Sequence, residues 1–154
     1  MILEIGGTGG PIMRIMAIDY GDARTGLAVS DPYGILCGEA WTVEDWNADR
    51  LAESIVLEAA ARDVKTLVLG LPKNMDGSEG PRAEKCRAFR ELLLQKGAEK
   101  VILWDERRSS IEAHQILQAN GKREKKHRKT VDAVAASLIL ESYLGSIKQG
   151  IINN

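Results

Sequence analysis

The strongest constraint on the fold of this chain is a change of hydrophobic rhythm near residue 47. Before it, short apolar runs are separated by tight turn signals. Ile15-Met16-Ala17-Ile18, within Arg14 to Tyr20, has the length and bounds of a buried central strand. Gly21 to Arg24 form a turn, and Thr25 to Ser30 read as a second strand that so short a link makes antiparallel to the first. Asp31-Pro32-Tyr33-Gly34 is a further turn, after which Glu39 to Val43 form a third strand.

Beyond that point the period lengthens. Asn47 or Asp49 caps a helix reaching about Arg62, with Leu51, Ile55 and Ala59 on one face. Thr66 to Leu69 is a buried strand, and Leu71 to Arg82 a loop rich in Gly and Pro. A helix then runs from about Arg82 to Lys96 and stops at Gly97. Val101 to Trp104 is a fifth strand ending in Asp105-Glu106-Arg107-Arg108. Ser109 and Glu112 have the form of a capping box for a helix to about Asn120. A last helix is expected from about Thr130 to Leu144. Hairpins followed by β-α-β units give an α/β fold, a mixed sheet flanked by helices.

At 154 residues the chain suits one domain, drawn here as residues 13–145 between a flexible leader, 1–12, and a tail, 146–154. The Gly-rich leader lacks the pattern of a secretory signal, and whether it is a remnant, an upstream start or a genuine arm is open. No apolar run approaches the roughly 20 residues of a membrane helix. Cys37 and Cys86 are the only cysteines and form no Cys-x-x-Cys pair, which argues against a zinc site or disulfide framework and points to a reducing cytoplasm. The net charge of −1 hides an asymmetry. Residues 122–129 hold Lys122, Arg123, Lys125, Lys126, Arg128 and Lys129 against one Glu. Such a run is either a solvated face or a contact for an anionic partner. Trp41, Trp46 and Trp104 are read as core or half-buried rather than base-stacking.

Three acids stand out by position: Asp19 closing the first strand, Glu106 just past the fifth, and Asp132 in the opening turn of the last helix. Ligand sites of open sheets gather at the carboxyl ends of parallel strands. Carboxylates meeting there repel one another unless a divalent cation neutralises them. The ordinary alternatives are a turn-forming acid after a strand and, for Asp132, a favourable helix dipole; pattern alone leaves both open. Lys73 in the Gly70–Gly77 loop, and Arg107 beside Glu106, are candidate phosphate contacts or plain surface ion pairs.

The motifs together carry a resemblance. Met16-Ala17-Ile18-Asp19-Tyr20-Gly21 with Arg24, Gly26, Ala28, Val29, Ser30 and Asp31 resembles the opening of the YqgF family, the pre-16S ribosomal RNA nucleases also called Holliday-junction-resolvase-like proteins. Gly70-Leu71-Pro72 with Asp76-Gly77 is similar to its second motif. Asp105-Glu106-Arg107 with Ser109-Ser110 and Ala113 is similar to its third, and Asp132 with Ala135-Ala136 and Leu140 to its last. Serines stand at 109 and 110 where the family usually has threonines.

The resemblance spans about Arg14 to Leu144 and implies a ribonuclease H-like fold, with sheet order 3-2-1-4-5 and the second strand antiparallel. It implies metal-dependent hydrolysis of phosphodiesters, with Asp19, Glu106 and Asp132 as catalytic and metal-binding acids for Mg²⁺ or Mn²⁺, two ions being expected, and Asp19 bridging them. Whether Asp105 shares the role of Glu106 is open. Arg24, Lys73, Arg107 and the 122–129 cations are the nucleic-acid contacts expected of it. The substrate is then pre-16S rRNA at its 5′ end or branched DNA, the partners include ribosomal precursor particles, and the protein is a monomer or homodimer. Two other classes stay in view: an actin-like ATPase module, which usually needs a second copy of the unit, and a non-catalytic RNA-binding assembly factor.

Overall fold

The computed structural model describes residues 14–108 and 125–148. The leader, the expected Ser109 helix, and Lys122 and Arg123 lie outside the described residues, as do the side chains of Lys125, Lys126, Arg128 and Lys129. Five strands are described: β1 (Ile15–Asp19), β2 (Arg24–Ser30), β3 (Cys37–Glu44), β4 (Thr66–Leu71) and β5 (Lys100–Asp105). Their spatial order is β3-β2-β1-β4-β5, as the resemblance implied. β2 runs antiparallel to both neighbours, while β1, β4 and β5 are parallel.

Helix α1 (Ala48–Ala61) follows Asn47, whose side chain accepts from the Arg50 N–H, satisfying one of the unpaired donors of the first turn. Helix α2 (Pro81–Gln95) opens on proline, whose missing N–H is no loss there. Helix α3 (Lys125–Lys148) is longer than expected at both ends. Lys and Arg are good helix formers, so Lys125 to Lys129, ahead of the start expected at Thr130, belong to the helix itself. Its last residue is Lys148. Asp132 therefore sits at the eighth position of α3, about two turns in, not in its opening turn.

Strand alternation assigns each side chain to a face. Met16 and Ile18 of β1, with Leu27, Val29, Leu67 and Leu69, pack under α1 and α2 against Leu51, Ile55, Phe89 and Leu93. Ile15, Ala17, Ala28, Val68 and Trp104 face α3, meeting Ala136, Ile139, Leu140 and Tyr143. The small Ala17 and Ala28 leave room for α3 to lie close. Trp104 meets Tyr143 edge-on at 5.2 Å and donates to Ser142 Oγ at 3.2 Å, which satisfies its indole N–H. Trp41 is half-buried under the Arg62 guanidinium, but Trp46 is 80% exposed, so the expectation of burial fails there. Trp46 lies in the short link before α1, where no element covers it.

Candidate active site at the carboxyl ends of β1 and β4

The alternation that puts Ile15 and Ala17 toward α3 also sends Asp19 to that face. The same parity places Arg24 and Gly26 of β2, and Gly70 of β4, on it. Asp19 pairs with Gly26 across the hairpin. On its other side Gly70 follows Leu69, the partner of Ile18. The acid at the end of β1 is thus flanked on both neighbouring strands by residues without a side chain.

Each glycine makes room for something specific. A Cβ on Gly26 would overlap the Asp132 carbonyl oxygen and lie 2.6 Å from its carbonyl carbon, so α3 crosses β2 in backbone contact at Asp132. A Cβ on Gly70 would come within 2.6 Å of Glu106 Oε2 and 2.8 Å of Ile139 Cδ1. Glu106 opens the short 3₁₀ turn Glu106–Arg108 that ends β5, and its side chain folds back over β4. The two glycines bring Asp132 in from one side and Glu106 from the other.

The electrostatics report the convergence. Burial first, then the charges of Glu106 and Asp132, together push the Asp19 carboxyl up to about 7. Arg82 is the cation that opposes them. Burial also raises the Asp132 carboxyl despite Arg24 beside it. Arg24 Nε lies 3.3 Å from Asp132 Oδ2, close enough for charge attraction but not aligned as a hydrogen bond. Among the described residues both atoms are buried without a hydrogen-bond partner, an unfavourable arrangement for polar groups. Among the described residues no three acidic, histidine or cysteine side chains converge tightly enough to enclose an ion. The three acids are electrostatic neighbours around Asp19, and drawing them onto a cation takes side-chain movement. All-oxygen donors with one orphaned carboxylate oxygen suit a hard divalent ion.

The structure separates the adjacent acids Asp105 and Glu106. Arg107 clamps Asp105 from 2.7 to 3.1 Å and holds its carboxyl below the usual range, with Lys73 adding to the effect. Asp105 is absent from the charges that act on Asp19, whereas Glu106 leads them. Arg107 also donates to the Met75 carbonyl at 3.4 Å, tying β5 to the loop after β4. Lys73 stands 3.9 Å from Glu79, which Arg87 already holds at 2.8 Å through both oxygens. Of the expected phosphate contacts, Arg24 lies at the acids, while Arg107 and Lys73 lie at the loop and are engaged with carboxylates.

Two cations escaped the sequence reading. Arg82 donates to the Tyr20 carbonyl at 2.7 Å, and Lys85 lies 3.2 and 3.3 Å from the Asp22 oxygens. These contacts join residues more than sixty positions apart, and no local pattern announces them.

The chain is similar to known proteins over most of its length. The profile of the family described as RuvX, Holliday junction resolvase, matches residues 13–146. A protein of Halothermothrix orenii named "Putative pre-16S rRNA nuclease" is 41% identical over 132 residues, covering 86% of this chain and 94% of its own. One of the same name from Acetivibrio thermocellus is 39% identical over 141 residues, covering 87% and 96%. Among solved structures, Thermus thermophilus RuvC in complex with a Holliday junction substrate superposes with a TM-score of 0.58 at 14% identity, covering 90% of this chain and 96% of that one. The fowlpox virus Holliday junction resolvase superposes at 0.52 with 18% identity, covering 87% and 99%. At such identities these two speak for the fold alone.

Proposed function

We propose, from the premise that this chain belongs to the RuvX family of Holliday junction resolvases, that Asp19, Glu106 and Asp132 are the metal-holding acids of a phosphodiester hydrolase. The protein is a nuclease acting on nucleic acid, as its family and relatives are. The preferred substrate in this proposal is the 5′ end of precursor 16S rRNA, since the relatives above carry that name. The family description favours a second reading, resolution of branched DNA.

The observation that carries the metal assignment is the Asp19 carboxyl, held near 7 by burial and two neighbouring acids. Three crowded, half-buried carboxylates are a poor solution for stability and a good one for cation capture. Bound Mg²⁺ or Mn²⁺, two ions in this proposal, would acidify the attacking water and neutralise the departing 3′ oxygen. Asp19, central at the end of its strand, sets the position of the cluster. Arg24 keeps Asp132 directed toward Asp19 by charge attraction. Glu106 approaches over Gly70 through its side chain. Ribosomal precursor particles as partners belong to the same proposal.

Cleavage of a precursor-rRNA 5′ leader and of a four-way DNA junction, by wild type and Asp19→Asn, with and without Mn²⁺, tests the reading. Wild type is expected to cut only with metal, and Asp19→Asn to lose about 100-fold or more while remaining folded and able to bind nucleic acid. Undiminished metal-dependent cleavage by folded Asp19→Asn overturns the assignment.

A further inference from the structure

The first turns of α2 place two half-exposed cations beside the acids. Arg82 bonds the carbonyl of Tyr20, the residue after Asp19, and its charge acts on Asp19 itself. Lys85 is three positions on, hence on the same helix face. Both turn to one carboxylate, Asp22, in the hairpin between β1 and β2: Arg82 Nη1 at 3.8 Å and Lys85 Nζ at 3.2 Å from Oδ1. The side chains of Arg82, Lys85 and Asp22 are each 50 to 54% exposed, so the group faces solvent.

An exposed carboxylate shared by two cations leaves a net positive group. The carboxylate oxygens of Asp22 take the place that the oxygens of a phosphate would take between an Arg and a Lys. The need for such a group follows from the charges nearby. A nucleic-acid backbone approaching Asp19, Glu106 and Asp132 is repelled by all three, and cations bound there compensate only at the reacting phosphate. The neighbouring phosphates need fixed positive charge of their own.

We propose that Arg82 and Lys85 form a subsite for a backbone phosphate next to the reacting one, with Asp22 as an internal stand-in that an incoming phosphate displaces. The ligand class is a phosphodiester of RNA or DNA, read without regard to base. The subsite rests on the active-site assignment above for its place next to the reaction, but its binding does not require the metal.

The test is fluorescence anisotropy with a labelled four-way DNA junction and a labelled RNA stem-loop, in EDTA, across roughly 50–200 mM salt. Lys85→Gln and Arg82→Gln are each expected to weaken binding about 3- to 10-fold and to lower the salt slope by about 0.7–0.9, one phosphate contact. Asp22→Asn is expected to go the other way, tightening binding by about the same factor, because the competing carboxylate charge is gone. The RNA and DNA arms show which backbone the subsite holds.

Salt slopes unchanged in Lys85→Gln, with Asp22→Asn binding as wild type, overturn the proposal. So does an Arg82→Gln protein that loses Mn²⁺ affinity with its slope intact, since Arg82 is then only a prop for Tyr20. Mn²⁺ titration by calorimetry, wild type against Asp19→Asn, fails separately: absence of Mn²⁺ binding removes the metal assignment and leaves the slopes standing. Absence of binding to both probes, in EDTA and in Mn²⁺, sinks both.

Discussion

The two flanks of Asp19 use the same residue for different ends. On the β2 side, Gly26 lets the backbone of α3 lie against the strand at Asp132. On the β4 side, Gly70 lets the end of the Glu106 side chain lie over the strand. A main-chain contact inside a long helix cannot yield without moving the helix and the Ile139, Leu140 and Tyr143 core it carries. A side-chain contact yields by rotation. One acid is therefore placed by a helix backbone and the other by a side-chain conformation, so the Gly70 flank is the one expected to yield.

The sharpest way to break this contrast is Gly26→Ala. Its methyl overlaps the Asp132 carbonyl, so α3 must lift. A loss of about 3 kcal/mol or more is expected, at the upper end of overpacking costs, measured by urea denaturation. If Gly26→Ala unfolds like wild type, the backbone contact does not constrain α3 and the contrast between flanks disappears.

Next in size is the cost of the crowded acids themselves. The Asp19 carboxyl holds its proton up to about 7 in the folded chain, against 3.8 unfolded. Between these values the native state binds more protons, so metal-free stability falls as pH rises from about 4 to 7 and is level above. The full shift corresponds to roughly 4 kcal/mol, and relaxation with solvent screening brings the expected effect to about 1–3 kcal/mol. Asp19→Asn removes this part of the slope and is more stable than wild type at pH 8 without metal. Saturating Mn²⁺ favours the ionised acids and reverses the ranking. A metal-free stability of wild type that does not fall between pH 4 and 7 contradicts the crowding.

Gly70→Ala examines the yielding flank. Its methyl meets Glu106 Oε2 and Ile139 Cδ1, both side-chain ends that can turn away. The expected stability cost is about 1–2 kcal/mol, less than at Gly26. Cleavage is expected to suffer out of proportion, since the displaced group is one of the three acids. Equal costs at both glycines, with cleavage untouched in Gly70→Ala, remove the distinction.

The fold was legible because run length, turn residues and period all pointed one way. Ile15 to Ile18, the short hairpin link and the β-α-β spacing leave few arrangements, and the observed sheet order is among them. The acids were legible by their place at strand ends and through the family motifs. Their spacers were not: Gly26 and Gly70 read as strand and loop glycines, whereas their neighbours Asp132 and Glu106 come from elements far along the chain. The depth of Asp132 in α3 was missed because the helix was expected to start only at about Thr130, although the Lys and Arg residues ahead of it favour helix. Arg82 and Lys85 were missed for the same reason as the spacers, since their partners Tyr20 and Asp22 meet them only once α2 packs beside β1.

The smallest effect separates the neighbouring acids at the end of β5. Asp105 is clamped by Arg107, both partly exposed, and turned to the loop carrying Lys73 and Met75. Glu106, one residue on, turns to Asp19. An exposed ion pair of this kind contributes about 0–1 kcal/mol, so Asp105→Asn is expected to change stability within that range. Its carboxyl lies below the usual range when folded, so the contribution is present at neutral pH and is lost as pH falls through the folded value. Mn²⁺ affinity, read by calorimetry, is expected to be unchanged in Asp105→Asn and reduced about 10-fold or more in Glu106→Gln. Equal losses of Mn²⁺ affinity in the two variants mean that both acids serve the cation, and that Arg107 releases Asp105 when the site fills.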